Sequence, residues 1–309
     1  MSFMDINAGV RYEYAKTQTR QSSEDVTYTN DINRHFSDFF PNITLSITKP
    51  GNFEFDLSYA RRIIRPNYRE LDPGIYYEDS LSYTSGNPFL KPTYDNDLLF
   101  RVSYKNQLSF SFNYLKTKDA ILQTYVEEEE KPDVLKMIPI NIPKSRSFNL
   151  NTMFNHEAKD WNFNCDFGIN IPHLKIPTSE GVHLINKLSW DCSANLDWTF
   201  AKYFTAYTNF SYSSSSYSLV TYQFAYNNLT IGLLARLADN KLNIDLSGTD
   251  ILDGSNWNNW DERYLNVVTR MRGNYDMRGV KLSISYLFNG NPGSLKSQRG
   301  NISPLRRTN

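Results

Sequence analysis

The chain has 309 residues, with 33 Lys+Arg against 33 Asp+Glu. It carries no electrostatic footprint for nucleic acid, and none is expected as a partner. Mean hydropathy is −0.54, and the absence of any run of about 18 apolar residues excludes a transmembrane helix. A transmembrane β-barrel stays open, because alternating strands average to the hydropathy of a soluble protein.

Period-2 alternation dominates from the start. It predicts twelve strands over 3–16, 36–48, 53–65, 93–104, 108–126, 144–157, 161–172, 183–200, 203–217, 222–237, 241–251 and 278–288. In 108–114, Leu108, Phe110, Phe112 and Tyr114 alternate with Ser109, Ser111 and Asn113. In 190–200, Trp190, Cys192, Ala194, Leu196, Trp198 and Phe200 alternate with Asp, Ser, Asn and Thr. The last segment is the clearest, with Val280, Leu282, Ile284, Tyr286 and Phe288 opposite Lys281, Ser283 and Ser285. Residues 289–309 are polar, basic and Gly/Pro-containing, and are expected to form a disordered tail after a barrel over 1–288.

The connections alternate in length. Short ones fall at Lys49-Pro50-Gly51-Asn52, Lys105-Asn106-Gln107, Ala158-Lys159-Asp160, Ala201-Lys202 and Ala238-Asp239-Asn240. Longer polar stretches are expected at 17–35, 66–92, 127–143, 173–182, 218–221 and 252–277. Antiparallel strands joined in this way collect every short turn at one end and every long loop at the other, as outer-membrane barrels do. Segments of about ten or more residues match a tilted bilayer crossing better than a soluble strand. The apolar face repeatedly ends in an aromatic residue, as at Tyr59, Tyr104, Tyr114, Trp161 and Tyr286, ring types that favour a lipid–water interface. The fold class read from these features is all-β, a transmembrane antiparallel up-and-down barrel.

Residues 53–92 carry a more specific signal: Ser58-Tyr59-Ala60-Arg61-Arg62, Arg65-Pro66-Asn67-Tyr68, Tyr76-Tyr77 and Gly86-Asn87-Pro88-Phe89-Leu90-Lys91-Pro92. This order resembles the barrel of Bacteroidetes-type TonB-dependent receptors, the outer membrane protein β-barrel family. LNIDLSGTDILDG (242–254) and MRGVKLSISYLF (277–288) are similar to that family's penultimate and closing strands. The resemblance implies the C-terminal half of a plugged barrel of about 22 strands. It implies localisation in the outer membrane and a receptor that takes up a ligand with energy from TonB, not an enzyme. The implied partners are outer-membrane lipid, a plug domain, TonB and a surface lipoprotein.

The opening MSFMDINAGVRYEY has charged and polar residues where a signal peptide needs an apolar segment, and no plug-like segment is visible. The expectation is an incomplete barrel lacking signal peptide and plug. A structural or adhesive barrel without transport uses the same strand pattern and is the alternative.

Candidate ligand-binding residues sit at the long-loop end. Arg61, Arg65 and Arg69, with Tyr68, Tyr76 and Tyr77, are expected to line the vestibule, or else to form a structural ion-pair lattice. Trp257 and Trp260 in the last loop suit stacking on a sugar, or packing between loops. No catalytic, metal or cofactor site is expected. His35, His156, His173 and His183 are scattered without ligand spacing, and none has an evident Ser and acid beside it. Glu127–Glu130 reads as a solvated loop tip. Cys165 and Cys192 fall on adjacent strands and the same apolar face, as two lipid-facing thiols or a disulfide.

Overall fold

The computed structural model describes residues 3–21, 30–49, 51–105, 107–128, 131–178, 181–273 and 276–288. In chain order the elements begin with β1 (Phe3–Gln21), β2 (Asn30–Lys49), β3 (Phe53–Ile64), α1 (Tyr68–Leu71), β4 (Ile75–Tyr77), β5 (Ser82–Ser85) and β6 (Thr93–Tyr104). Then come β7 (Leu108–Glu128), β8 (Lys131–Glu157), β9 (Trp161–Thr178), β10 (Gly181–Ile185), β11 (Ser189–Ala201) and β12 (Phe204–Ser213). The last are β13 (Ser216–Ser218), β14 (Thr221–Gln223), β15 (Tyr226–Leu237), β16 (Leu242–Thr249), β17 (Trp260–Tyr264), β18 (Val267–Met271) and β19 (Gly279–Tyr286).

Twelve strands form one wall in the order β1-β2-β3-β6-β7-β8-β9-β11-β12-β15-β16-β19, each antiparallel to its neighbours. These are the twelve predicted segments. The order is purely sequential, as short turns dictate. Among the described residues the wall is open, with β1 paired only to β2 and β19 only to β16. The two edges therefore present unpaired main-chain groups.

Alternation becomes two chemically distinct faces. On the outward face, Tyr114, Phe148 and Ile171 are cross-strand neighbours on β7, β8 and β9. Val280, Leu282 and Ile284 on β19 are 82%, 61% and 64% exposed, a surface that water penalises and lipid does not. Aromatic pairs bracket this face. Towards the short turns lie Phe53–Tyr104 at 4.6 Å and Trp161–Trp198 at 5.0 Å, the latter nearly parallel at 8°. Towards the long loops lie Tyr12–Phe39, Tyr114–Phe148 and Trp190–Tyr212 at 4.6–5.0 Å. Trp190 and Trp198 share β11, so the belts are about 27 Å apart along the strand, or about 20 Å in height at a barrel strand's tilt of about 40°, near the height of a bilayer's apolar band. Cys165 and Cys192 are free; Cys165 is registered opposite Ala194 and Cys192 opposite Phe167.

The inner face is wet. A hydrogen-bonded girdle crosses five strands. Arg62 pairs with Asp97 at 3.5 Å, Asn113 donates to Asp97, Asn149 donates to Asn113 at 3.1 Å, and Asn170 donates to Asn149. Further round, the Tyr207 ring lies across Gly232 and its hydroxyl donates to Asp245 at 3.0 Å. A Cβ at position 232 would sit 2.2 Å from that ring. The glycine is thus required by close approach, not by backbone conformation.

The long-loop end departs from expectation. Residues 127–143 and 173–178 are largely strand: β7 and β8 run on past the lipid-facing stretch and pair up to Glu128 and Lys131. The acid run and the prolines favoured a loop. However, Val134, Ile138, Ile140 and Ile142 are strand formers, and Pro139 lies just beyond the stretch of β8, Leu135–Met137, that β5 pairs on its other edge. Its carbonyl accepts from the Asn87 amide at 3.0 Å, so that edge faces away from β7 and the missing N–H costs no ladder bond. Asp119 is left-handed (φ 55), and buried positions on β7 shift there from Thr117 to Ala120 and Thr124.

The predicted strand over 183–200 is two elements: β10 pairs with upper β9, and β11 with lower β9. The predicted strands over 203–217 and 222–237 also divide. Their distal parts, β13 and β14, join the β17–β18 hairpin in a separate four-stranded sheet. The expected tail 289–309, together with Glu129 and Glu130, lies outside the described residues.

Candidate functional site

All short turns lie at one end of the wall. At the other end are α1, β4, β5, β10 and the four-stranded sheet, so candidate chemistry concentrates at this mouth. An apolar cluster organises it. Ala120, Ile142, Leu174, Ile176, Ile185 and Val220 are buried together, with Tyr217, Leu219 and Tyr264 packed against them. The Tyr217–Leu219 segment also faces Leu115, Thr117, Ser145, Ser147 and Asn170, which continue the inner face. The β13–β14 turn therefore folds inward over the mouth. Thr124 and Thr221 both donate to Glu262, at 2.7 and 3.2 Å, tying this sheet to β7.

The Gly86–Pro92 block is the second organiser. The Gly86 N–H donates to the Asp72 carbonyl at 2.7 Å and the Asn87 N–H to the Glu70 carbonyl at 2.6 Å, closing the end of α1. The other end is closed by a capping box between Asn67 and Glu70. Asn87 reaches Pro139, and Lys91 exchanges hydrogen bonds with the Asn141 amide at 2.8 and 3.0 Å. Arg34 donates to the carbonyls of Pro88 and Leu90, and Leu90 is fully buried. One short motif thereby locks the β3–β6 connection to β2 and β8.

The eight expected site residues separate into groups. Arg61 pairs with Asp38 at 3.2 Å and lies 5.3 Å from the Tyr94 ring, while the Tyr94 hydroxyl donates to the same carboxylate at 2.6 Å. Arg65 pairs with Glu13 at 2.5 Å, and Arg11 approaches Glu13 at 2.8 Å. Tyr68 and Arg69 sit on α1, and Tyr68 is 92% exposed. Arg65 and Tyr68 meet in one cavity of about 530 Å³, also lined by Lys16, Phe36 and Leu90.

Tyr76 donates to Asp72 at 2.8 Å, and Tyr77 packs 5.9 Å from Tyr83 with its outer edge open. The Gly74 N–H and then the Tyr76 hydroxyl hold the Asp72 carboxyl below its ordinary pKa; the same bond raises that of the Tyr76 phenol. Trp257 is exposed and its carbonyl accepts from Gln223 at 2.7 Å, whereas Trp260 opens β17 and is half-buried. Trp260 belongs to the four-stranded sheet and Trp257 to the turn that leads into it, and neither lines the cavity holding Arg65 and Tyr68.

One further cluster at the mouth has no motif in the sequence. Lys187 donates to Ser215 at 2.7 Å and Tyr222 at 2.9 Å, and lies 4.6 Å from the Tyr222 ring centroid. The hydrogen bonds from Lys187 and then Ser215 lower the Tyr222 phenol's pKa. Tyr217, Tyr222, His183, Asp261 and Arg263 line an adjoining cavity of about 520 Å³. The visible signal was the serine run 213–216 interrupting the alternation between two tyrosine-rich stretches. Aromatic faces, amides and paired charges arranged in this way suit recognition of a polar ligand. Among the described residues no group of three His, Cys, Asp or Glu side chains is placed to hold a metal.

A family model described as the outer membrane protein beta-barrel family matches residues 2–286. No curated protein matches the chain. Among solved structures, the hemophore receptor HasR of Serratia marcescens is similar at TM-score 0.62 and 12% identity, over 92% of this chain and 49% of that one. The siderophore receptor PirA of Pseudomonas aeruginosa is similar at 0.56 and 11%, over 80% and 45%. The ferric enterobactin receptor PfeA of the same organism is similar at 0.52 and 12%, over 81% and 38%. The chain thus spans less than half the length of these structures, and at such identities the likeness is one of fold.

Proposed function

The chain belongs to the outer membrane protein beta-barrel family, and from that membership we propose that it builds the wall and mouth of a receptor importing a ligand with energy from TonB. It is an outer-membrane β-barrel protein with the fold of TonB-dependent receptor barrels. The observation that carries the uptake reading is the elaborated mouth: a second sheet folded inward over a polar wall, with bare turns at the other end. A barrel serving only as a structural element has no need of so elaborate a mouth. The similar structures are named as receptors rather than enzymes, which supports a binding role.

In this reading Arg61 and Arg65 shape the mouth through Asp38 and Glu13. The exposed rings of Tyr68, Tyr76, Tyr77 and Trp257 meet the ligand, with Arg69 and Trp260 flanking them. A plug, TonB and a surface lipoprotein are the partners the reading calls for. Radiolabelled ferric siderophore and haem, the ligand types named for the similar receptors, are suitable first probes. Deleting the gene should abolish TonB-dependent uptake of a transported probe. Restoring it as Tyr68→Ala/Trp257→Ala should cut uptake about tenfold or more, as loss of two aromatic anchors does. Uptake of every probe unchanged by deletion would favour the alternative, a structural or adhesive barrel without transport.

A further inference from the structure

The outward face changes character just above the loop-side aromatic belt. Tyr114, Phe148 and Ile171 form one cross-strand row on that face. Two residues further towards the mouth, the next outward row is Lys116, Arg146 and His173. The row beyond it brings Lys118 opposite Lys144, with Lys175 continuing on β9. Six basic side chains therefore stand about 7–13 Å beyond the aromatic belt along the strands, from the rise per strand residue. Among the described residues none of them has an ion-pair partner.

The wall also opens here. The β8–β9 pairing stops at Ser145–Leu174, and above it β8 and β9 diverge. The gap is a cavity of about 610 Å³ with Lys144, Arg146, His173 and Lys175 around it and Ile142, Ile176, Val182 and Tyr264 lining its apolar part. The Arg146 Nε is fully buried without a hydrogen-bond partner. A buried, unpartnered guanidinium nitrogen beside unpaired lysines is costly unless an acceptor arrives from outside.

We propose that this notch binds the phosphorylated headgroup of an outer-leaflet glycolipid, with Arg146 as its central contact. The proposal rests on the outward-face assignment of the barrel reading and not on ligand uptake. Charge complementarity selects a phosphate, because guanidinium and ammonium donors match its oxygens. The height selects a lipid source, since the notch lies where a headgroup sits when the acyl chains cover Phe148 and Tyr114.

Native mass spectrometry of the protein purified from outer membranes in mild detergent tests this. The probes are a bis-phosphorylated diglucosamine glycolipid, the same lipid with its phosphates removed, and inorganic phosphate. The wild type should retain the phosphorylated lipid and bind the dephosphorylated one far more weakly. Lys144→Gln/Arg146→Gln/Lys175→Gln should bind the phosphorylated lipid on the order of 100-fold more weakly, at about fivefold per surface cation. Lys144→Arg/Lys175→Arg should bind like the wild type, which excludes simple misfolding as the cause.

Equal binding by wild type and triple Gln variant, both migrating as heat-modifiable barrels, would overturn the lipid site and leave the barrel standing. Displacement of the lipid by inorganic phosphate at similar concentration would overturn it too, by showing a soluble-anion site. A wild-type protein that is not heat-modifiable would overturn the barrel reading and the lipid site with it.

Discussion

Gly86 shows how one residue type fixes the mouth. A Cβ there would lie 2.3 Å from the Asp72 carbonyl oxygen and 2.7 Å from those of Arg69 and Glu70. These are backbone atoms that cannot swing aside. Gly86→Ala should therefore detach the Gly86–Pro92 block from α1, at a cost of about 1–3 kcal/mol for forced overpacking. Limited proteolysis of outer membranes should show faster cleavage within 66–92, with the wall intact. A neighbouring turn carries a pH signature. The Asp72 carboxyl is lowered in the folded state by the Gly74 N–H and the Tyr76 hydroxyl. Its stabilising contribution is thus present above the ordinary value of 3.8 and is lost as pH falls through the lower folded value. Amide exchange at Gly74 should stay slow at neutral pH and accelerate below about pH 4 after correction for intrinsic rates. Asp72→Asn should weaken the pH response, and an unchanged response would contradict the assignment.

At the scale of elements, period-2 alternation carries opposite predictions for adjacent residues. Ile284 pairs with Ile244 on the outward face and is 64% exposed, whereas Ser283 pairs with Asp245 beneath Tyr207. Ile284→Arg should impair assembly by about 1–3 kcal/mol, between the cost of a cation at the lipid midplane and at its edge, while Ser283→Arg gains a carboxylate neighbour and should assemble. Heat-modifiability on gels compares the two. On β15, Gly232→Ala should push Tyr207 off its strand and break its bond to Asp245, lowering unfolding stability by about 1–3 kcal/mol in a urea titration.

The twelve wall strands were legible because alternation is a local signal, and so were the five short turns. The mouth was not, since its order depends on contacts far apart in sequence. Ala120 and Ile185 fell in expected strands and Ile142, Leu174 and Val220 in expected loops, and nothing local to any of them marks the cluster they form. The Gly-Asn-Pro block was recognisable as a motif, yet Lys91 and Asn141 meet across 50 positions. Arg61 and Arg65 were open to two readings until Asp38 and Glu13, 23 and 52 residues away, fell beside them.

At the scale of the whole molecule, the wall divides three environments. Lipid meets an apolar face between two aromatic belts, the lumen meets an Asn/Asp girdle, and the far side of the membrane meets a folded mouth. The open edges at β1 and β19 expose ladder groups that lipid cannot satisfy, so within the membrane each must be paired. The receptor reading depends above all on orientation, with the mouth outside the cell and the short turns inside. Cysteine labelling tests that orientation most directly. In a Cys165→Ser/Cys192→Ser background, Tyr68→Cys or Trp257→Cys is compared with Lys202→Cys in the short β11–β12 turn. Intact cells are treated with a membrane-impermeant maleimide. Positions 68 and 257 should label in intact cells, and position 202 only after the outer membrane is permeabilised. Labelling of position 202 in intact cells, with 68 and 257 protected, would contradict the account.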